Sequence, residues 1–400
     1  MGTLAENKLN MYTAEKHPLP KATFETLIEK NALYCVSIYL SMDKLGMQQN
    51  LHLAQALLKN CLEEVQVELL QHQLHENEIE DYLEPIAQLL HKVDLWRNPS
   101  DGLAIFLDSE VGLRYYQIPI PFETQTFVAS HFYLKPLLPL YQNDGIYYLL
   151  ELSRDYVKLY EASRFHFEDL YVEDFAPKRL EEAVGFDYKP KMLQFRSGQD
   201  IGGAGLFHGH GEGKDDDKKE LVKFFSAVDK GVIKTIENQN APLLLACTDY
   251  LYSIYKQTSS YKNIYDQHLG GDPEFKVKTS LHQDSWSLIE PYFKKIESDM
   301  ILKFKDLYHT QKTSYETGNI ISAALNGTVD TLFIENDNDI FGTFDLNTNR
   351  ATIDKSKDIS NTSLTNLAAL ETFKQGGKVF FLPAEDMPVK NCNLNAIFRY

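Results

Sequence analysis

Long apolar runs are missing from this sequence of 400 residues. No segment approaches the roughly 20 consecutive apolar residues that a membrane-spanning helix needs. The N-terminus also lacks an apolar stretch after a basic start, which is the pattern of a secretory signal. These absences argue against a helical membrane protein, and we expect the protein to be cytoplasmic.

Cysteine is scarce, and its spacing excludes a disulfide scaffold. The four cysteines are far apart, and no two form a Cys-x-x-Cys pair. Small secreted domains that depend on disulfides have a much higher cysteine density. We therefore expect reduced, mostly buried thiols at Cys35, Cys61, Cys247 and Cys392.

Excess positive charge is also missing. The formal net charge is −17, from 40 Lys and Arg against 57 Asp and Glu. Residues 1–145 carry −9, residues 146–290 carry −6 and residues 291–400 carry −2. An acidic surface repels phosphate, which excludes a general, salt-driven nucleic-acid binder. We expect any RNA contact to be local, and the first 145 residues to contact a basic protein.

The common nucleotide and hydrolase motifs are absent as well. The sequence has no recognisable P-loop, dinucleotide-binding fingerprint or serine-histidine-acid triad. Nucleotide use and hydride transfer therefore have no support. The sequence gives no indication of the oligomeric state.

Glycine, in contrast, is concentrated in one place. Seven of the 21 glycines lie in residues 196–219, RSGQDIGGAGLFHGHGEGKDDDKK. Each glycine costs backbone entropy and adds no side chain to a core, so a packed helix or strand is not expected in this segment. Two interpretations stay open: a loop that carries function, or a disordered surface insertion.

Hydrophobic periodicity predicts an α/β protein of three modules. An N-terminal α/β domain is expected over residues 1–145, where strands alternate with helices that have apolar residues at every third or fourth position. A middle domain is expected over residues 146–290, with a strand hairpin, the glycine-rich segment, a helix and a buried strand at 242–247. Residues 291–400 alternate helices and strands, which favours α/β/α layers.

Three local expectations concern helices. Pro85 is expected to kink a helix or to start a new one, and Pro291 to interrupt a long helix that begins near Ser280. A group of tyrosines that includes spacings of three and four residues favours a core-facing helix stripe over a surface that stacks on RNA bases. These tyrosines are Tyr250, Tyr252, Tyr255, Tyr261 and Tyr265.

Two blocks of sequence carry a resemblance to a known family. Residues 241–274, APLLLACTDYLYSIYKQTSSYKNIYDQHLGGDPE, resemble a block typical of the bacterial archaeo-eukaryotic release factor family. Between Leu325 and Tyr400, the stretches TVDTLFIE, IFGTFD, ALETFKQGGKVFFLP and AIFRY are similar to the third domain of archaeal and eukaryotic class-one release factors and of Pelota. The resemblance covers nearly the whole chain, although the N-terminal module matches only by its position and its strand-helix-strand order.

The resemblance implies a translation-linked protein of three domains. Its middle domain would be RNase H-like, and its third domain would resemble a kink-turn-binding ribosomal protein. The implied activity is hydrolysis of peptidyl-tRNA esters by a ribosome-associated release or rescue factor. The implied partner is thus the ribosome or a tRNA, with no DNA and no membrane, and no cofactor is expected.

The family's activity depends on a Gly-Gly-Gln loop of the middle domain. Glycines let the backbone approach crowded RNA, while a backbone amide and the glutamine side chain place a water and stabilise oxyanion charge. This chain has Ser197, Gly198 and Gln199, followed by Gly202 and Gly203, so the motif is not intact.

Gln199 is the only glutamine of the glycine-rich segment. By position it would carry the family role, together with Gly198, Gly202 and Gly203. The segment also lacks Lys and Arg between positions 196 and 214, where release factors have basic residues that contact ribosomal RNA. Whether the chain is an enzyme stays open at this point.

A metal site is the alternative interpretation of the same segment. His208, His210 and Glu212 alternate with glycines and offer three ligands for a divalent metal, with three aspartates close by. The glycines leave such ligands without preorganisation. Two alternative functions follow, a metal-dependent hydrolase or nuclease that acts off the ribosome, and a non-catalytic adaptor on the same fold.

Overall fold

The computed structural model describes residues 13–16, 19–42, 47–97, 100–141, 145–154, 156–170, 212–236, 240–271, 277–336, 338–345, 348, 350–355, 357 and 361–400. Over these residues the chain is a mixed α/β structure with four sheets. It divides into two compact units. The first unit is Met1–Asp144 with Ile296–Tyr400, and the second unit is Gly145–Lys295. No helix within the described ranges is long and apolar enough to cross a membrane.

The N-terminal part of the first unit is a five-stranded sheet with helices. The sheet has the order β1-β4-β3-β2-β5, and all neighbours are antiparallel except β1 and β4. The elements are β1 (Thr13–Lys16), α1 (Lys21–Ile28), β2 (Asn31–Ser41), α2 (Met47–Gln71), α3 (Glu76–Leu89), α4 (Val93–Arg97), β3 (Gly102–Asp108), β4 (Gly112–Ile118), β5 (Gln125–His131) and a 3₁₀ helix (Lys135–Leu140).

Helices α2 and α3 bury the apolar stripes that the sequence predicts. Leu58, Val65 and Leu69 of α2 pack with Ile79 and Ile86 of α3 against the strands. Helix α3 continues through Pro85, so no new helix begins there. The buried stripe spans the proline, and its packing outweighs the one backbone hydrogen bond that proline removes.

The second unit is built around a mixed five-stranded sheet. Its order is β10-β9-β6-β7-β8, in which β6, β9 and β10 are parallel and β7 is antiparallel to both of its neighbours. The elements are β6 (Tyr147–Leu152), β7 (Val157–Ala162), β8 (Phe167–Leu170), α5 (Glu212–Thr235), β9 (Leu243–Ala246), α6 (Asp249–Thr258), β10 (Ile264–Leu269) and α7 (Lys278–Leu307), whose last turns belong to the first unit.

Helices cover both faces of this sheet. Leu221, Phe224 and Val228 of α5 pack with Leu150 and Leu152 of β6 in one buried cluster, which includes α6. On the other face, the hydroxyl groups of Tyr147 in β6 and Ser285 in α7 are 2.6 Å apart.

Helix α7 runs unbroken through Pro291, so the predicted interruption is wrong. Its buried residues Leu281, Ile289 and Phe293 lie on both sides of the proline, whereas Pro291 itself is exposed. The ring therefore faces away from the packed surface, and the continuous apolar stripe compensates for the lost hydrogen bond.

The C-terminal part of the first unit has a four-stranded sheet of order β11-β17-β12-β16 and a three-stranded sheet of order β14-β13-β15. Phe304 of α7 packs on Phe333 and Phe380 of the larger sheet. The elements are β11 (Thr313–Ser314), α8 (Thr317–Leu325), β12 (Val329–Glu335), β13 (Phe341–Asp345), β14 (Arg350–Asp354), β15 (Thr362–Ser363), α9 (Leu364–Lys374), β16 (Lys378–Leu382) and β17 (Leu394–Phe398).

Buried polar groups join the two parts of the first unit. The side-chain oxygen of Asn366 in α9 accepts hydrogen bonds from the backbone N–H groups of Leu134 and Lys135, each at 2.8 Å. The Lys135 ammonium is 3.3 Å from the carboxylate of Asp339. Residues more than 200 positions apart are thus fixed together, while the predicted division into three domains stays a prediction.

Candidate functional site

Residues 196–211 of the glycine-rich segment lie between β8 and α5 of the second unit, whereas residues 212–219 form the first turns of α5. The prediction that the segment forms no helix is therefore wrong over these last eight residues, where only Gly213 is a glycine. Most of the predicted site residues of the segment lie outside the described residues, so their roles stay predictions. These are Gly198, Gln199, Gly202, Gly203, His208 and His210. Glu212 is the first residue of α5, and its side chain is also outside the described set.

The strand that leads into this segment ends at a defined edge of the sheet. Strand β8 is antiparallel to β7, which is antiparallel to β6, so β8 points in the same direction as β6, β9 and β10. Its last residue, Leu170, pairs with Leu159 near the start of β7. The chain therefore leaves the sheet at the carboxyl ends of the parallel strands, where α/β sheets commonly bind ligands.

Asp229 fixes the helix that follows the segment. Its buried carboxylate accepts hydrogen bonds from the backbone N–H and the hydroxyl of Ser260, at 2.9 and 2.8 Å, and from the Ser259 hydroxyl. The Tyr255 hydroxyl also donates to it, at 3.3 Å. The family-like block of residues 241–274 thus holds α5 against the end of α6.

The tyrosines of this block do not form one core-facing helix stripe, so that prediction is wrong. Helix α6 ends at Thr258, because the turn bound by Asp229 follows it, and Tyr261 and Tyr265 lie beyond its end. Of the three tyrosines in α6, Tyr255 is fully buried. Tyr250 is 49% exposed, and Tyr252 stacks on His268 of β10.

Basic and aromatic side chains lie together along the β7–β8 hairpin. Tyr156, Lys158, Tyr160 and Phe167 are on the sheet face away from α5, Arg164 and Phe165 are in the turn, and Lys278 begins α7. Lys158 is opposite Glu151 in the strand register, and Phe167 is opposite Ala162. We call this group the hairpin face, and it consists of Tyr156, Lys158, Tyr160, Arg164, Phe165, Phe167 and Lys278.

Each cation of the hairpin face lies over an aromatic ring. The Lys158 ammonium is 4.8 Å from the ring centre of Tyr156, and the Arg164 guanidinium carbon is 5.2 Å from that of Phe165. The Lys278 ammonium is 5.6 and 5.8 Å from the rings of Tyr160 and Phe167. Such contacts hold a cation in place without neutralising its charge.

A buried carboxyl group supports this arrangement. Glu151 of β6 is 2% exposed and accepts hydrogen bonds from the hydroxyls of Tyr156, at 2.5 Å, and Tyr160, at 3.0 Å. Burial raises the pKa of Glu151, while the hydrogen bonds from the two tyrosines oppose that shift. Glu151 therefore positions Tyr156, on which Lys158 lies.

Metal binding has no support in the described part of the chain. Among those residues, no three His, Cys, Asp or Glu side chains come together as a metal site. His268 is paired with Asp249, at 2.9 Å. The predicted set of His208, His210 and Glu212 stays a prediction, since its side chains lie outside the described residues.

A groove of about 470 Å³ lies in the first unit, between α1 and the end of α9. Its lysines already have acidic partners. Lys374 is 2.9 Å from Glu29, and Lys21 is 3.9 Å from Glu25. Charge in the groove is thus balanced by the protein itself.

The hairpin face was not found from the sequence, although a signal was there. In residues 156–167, YVKLYEASRFHF, basic and aromatic residues recur within one predicted hairpin. The period of two places Tyr156, Lys158 and Tyr160 on one side of the sheet. The cations of the hairpin face cannot be grouped from this pattern alone, because Lys278 comes from α7, more than 110 positions further along the chain.

Residues 147–291 match the family model of Bacterial archaeo-eukaryotic release factor family 7. This match confirms the resemblance that the sequence blocks indicate. It covers the hairpin, the glycine-rich segment and the block held by Asp229. No curated protein matches the chain significantly.

Several solved structures are similar to the chain. An archaeal translation termination factor, aRF1, is 12% identical, with a TM-score of 0.22, and the match covers 95% of this chain and 96% of that chain. Dom34 of S. cerevisiae is 11% identical, with a TM-score of 0.35, over 75% of this chain and 79% of that one. Pelota of Archaeoglobus fulgidus is 12% identical, with a TM-score of 0.27, over the same shares of 75% and 79%.

Proposed function

We propose, from the release factor family match over residues 147–291, that this protein is a ribosome-associated release or rescue factor. One observation supports this most directly. The matched region contains the glycine-rich segment, and the strand that precedes that segment in the chain, β8, ends at Leu170 on the carboxyl edge of the sheet. The order and directions of the five strands support an RNase H-like middle domain.

The proposed reaction is hydrolysis of the ester that joins a peptide to tRNA. A water oxygen attacks the ester carbonyl carbon, the bond from that carbon to the tRNA 3′ oxygen breaks, and a proton of the water passes to the 3′ oxygen. Gln199 would orient the water, and Gly198, Gly202 and Gly203 would let the backbone come close to RNA. Ser197 in place of a glycine makes this the part of the proposal that most needs a test.

Sedimentation tests the association with ribosomes. Tagged protein in lysate is run through sucrose gradients at low and moderate salt. Co-migration with ribosomes at moderate salt is expected, because the acidic chain has no general affinity for RNA and only a specific contact would survive. Migration as free protein in every gradient would refute the proposal.

Peptide release tests the chemistry. Ribosomes that carry labelled peptidyl-tRNA are mixed with the protein, with Gln199→Ala, or with Gln257→Ala as a control on the exposed side of α6. We expect release with the native protein and the control, and a loss of at least a hundredfold with Gln199→Ala. Equal release by all three would remove Gln199 from the reaction and leave the adaptor alternative.

A further inference from the structure

We propose that the hairpin face binds the single-stranded 3′ end of a tRNA. This inference rests on the proposed function, and it adds a binding surface outside the glycine-rich segment. Lys158 and Arg164 lie along the β7–β8 hairpin and Lys278 reaches it from the start of α7, each over an aromatic ring. Tyr160 is buried and stacks on Phe167, whereas Tyr156 and Phe165 are partly exposed. Single-stranded nucleic acid is bound by such combinations, in which cations contact phosphates and accessible rings stack on bases.

The position of the face favours this partner. Lys158 lies near the carboxyl edge, where the chain leaves β8 for the glycine-rich segment. From Lys158 the hairpin face continues along β7 to its end at Ala162, which is four residues or roughly 13 Å further. Arg164 follows in the turn after β7. An RNA strand that follows the hairpin face from Arg164 to Lys158 would therefore reach the carboxyl edge of the sheet, where β8 ends at Leu170.

The charges of the face fit phosphate. Lys278 is held by Asp169, at 2.6 Å, so its charge is largely balanced. Within the described residues, no carboxylate forms an ion pair with Lys158 or Arg164. The neighbouring carboxyl group, Glu151, is buried beneath the two tyrosines. Two exposed cations therefore stand free on an otherwise acidic unit, which makes the contact local.

The opposite face of the same sheet provides a matched control. Lys223 and Lys230 are exposed on α5, which packs on the other side of β6. Lys223→Gln with Lys230→Gln removes the same charge as Lys158→Gln with Arg164→Gln. Any difference in tRNA affinity between the two double variants is thus caused by the position of the removed charges and not by the net charge.

The experiment measures tRNA binding to the full-length protein by fluorescence anisotropy. One probe is deacylated tRNA labelled in its elbow, and the other is the same tRNA trimmed of its single-stranded 3′ end. We expect the native protein and the α5 control to bind intact tRNA at least fivefold more tightly than the hairpin variant does. The trimmed tRNA should bind the native protein as weakly as intact tRNA binds the hairpin variant.

Salt provides a second readout. Two phosphate contacts on a single strand change the slope of log affinity against log salt by about 1.4, so raising salt from 50 to 200 mM should weaken native binding about sevenfold more than variant binding. Equal affinity for intact and trimmed tRNA, an equal loss in the α5 control, or no measurable binding of intact tRNA would overturn the inference.

The binding assay contains no ribosome and no ester. A protein that binds the tRNA end through Lys158 and Arg164 but does not sediment with ribosomes would contradict only the proposed function. A protein that sediments and releases peptide, yet binds tRNA without regard to these two residues, would contradict only this inference.

Discussion

The carboxylate of Asp229 in α5 accepts two hydrogen bonds from Ser260, one from its backbone N–H at 2.9 Å and one from its hydroxyl at 2.8 Å. Ser260 follows the end of α6, so the contact ties together the helix after the glycine-rich segment and a turn in the family-like block. Ser259 and Ser260 of that block therefore have a structural role, since they complete the hydrogen bonds of a buried carboxylate.

Loss of Asp229 should destabilise the second unit. Asp229→Ala leaves the Ser260 N–H, the buried Tyr255 hydroxyl and two serine hydroxyls without this acceptor, and we expect the free energy of unfolding to fall by about 3 kcal/mol. Trp286 is the tryptophan of this unit, so urea unfolding is followed by its fluorescence in a Trp96→Phe background. The control is Asp266→Ala, which removes an exposed carboxylate. Equal midpoints for the two variants would contradict the prediction.

Glu151 should make the second unit sensitive to pH. Because burial raises its pKa, the folded protein keeps a proton that the unfolded chain has already released. The contribution of Glu151 to stability therefore falls as pH rises from the ordinary carboxyl pKa through the raised one, and is constant above it. Glu151→Gln does not titrate and keeps an oxygen acceptor for both tyrosine hydroxyls.

We expect the free energy of unfolding of Glu151→Gln to rise relative to that of the native protein as pH increases from the ordinary carboxyl pKa to the raised pKa of Glu151. Midpoints of urea unfolding, read from Trp286 between pH 4 and 8, measure the difference. Tyr156→Phe should have the opposite effect, since it removes a hydrogen bond to the charged carboxylate and makes the native decline steeper. Parallel curves for all three proteins would show that Glu151 has an ordinary pKa.

Elements with a clear apolar period could be predicted from the sequence. The stripe through Leu58, Val65 and Leu69 and the strand at Leu243–Ala246 are buried as expected. The spacing of apolar residues indicates which face of a helix or strand is buried, even when a proline lies within the element. The helices continue through Pro85 and Pro291 because the cost of one lost hydrogen bond is smaller than that of exposing an apolar stripe.

Contacts that depend on single polar residues could not be predicted. Asn366, Asp339 and Lys135 fix the two parts of the first unit to each other, yet no period or motif marks them. The hairpin face is similar, since its cations come from β7, a turn and the start of α7. Only the fold brings such residues together.

Thiol reactivity tests the interpretation of the cysteines. Burial raises the pKa of Cys35 to about 11 and the pKa values of Cys61 and Cys247 to about 12, while Cys392 is partly exposed. Since the thiolate is the reactive form, we expect a maleimide at pH 7.5 to label one thiol per chain rapidly. Denaturant should expose three more. Cys392→Ser should remove the fast phase, and rapid labelling of more than one site would contradict the buried positions.

Two substitutions on α9 should shift the stability of the first unit in opposite directions. Asn366→Ala leaves the buried N–H groups of Leu134 and Lys135 unpaired, which should cost about 3 kcal/mol. The Thr372 hydroxyl is buried and has no hydrogen-bond partner among the described residues. Thr372→Val keeps the side-chain shape and removes that polar group, so we expect a gain of about 1 kcal/mol.

Trp96 reports on both variants when Trp286 is replaced by Phe, because Trp96 is buried in the first unit. Urea midpoints should fall for Asn366→Ala and rise for Thr372→Val. The contrast matters more than either value, since both residues lie on one helix and both changes remove a polar group. The sign depends only on whether that group had a partner. If both variants were destabilised equally, α9 would be held by its apolar packing alone, and Asn366 would not fasten the C-terminal part to residues 134 and 135.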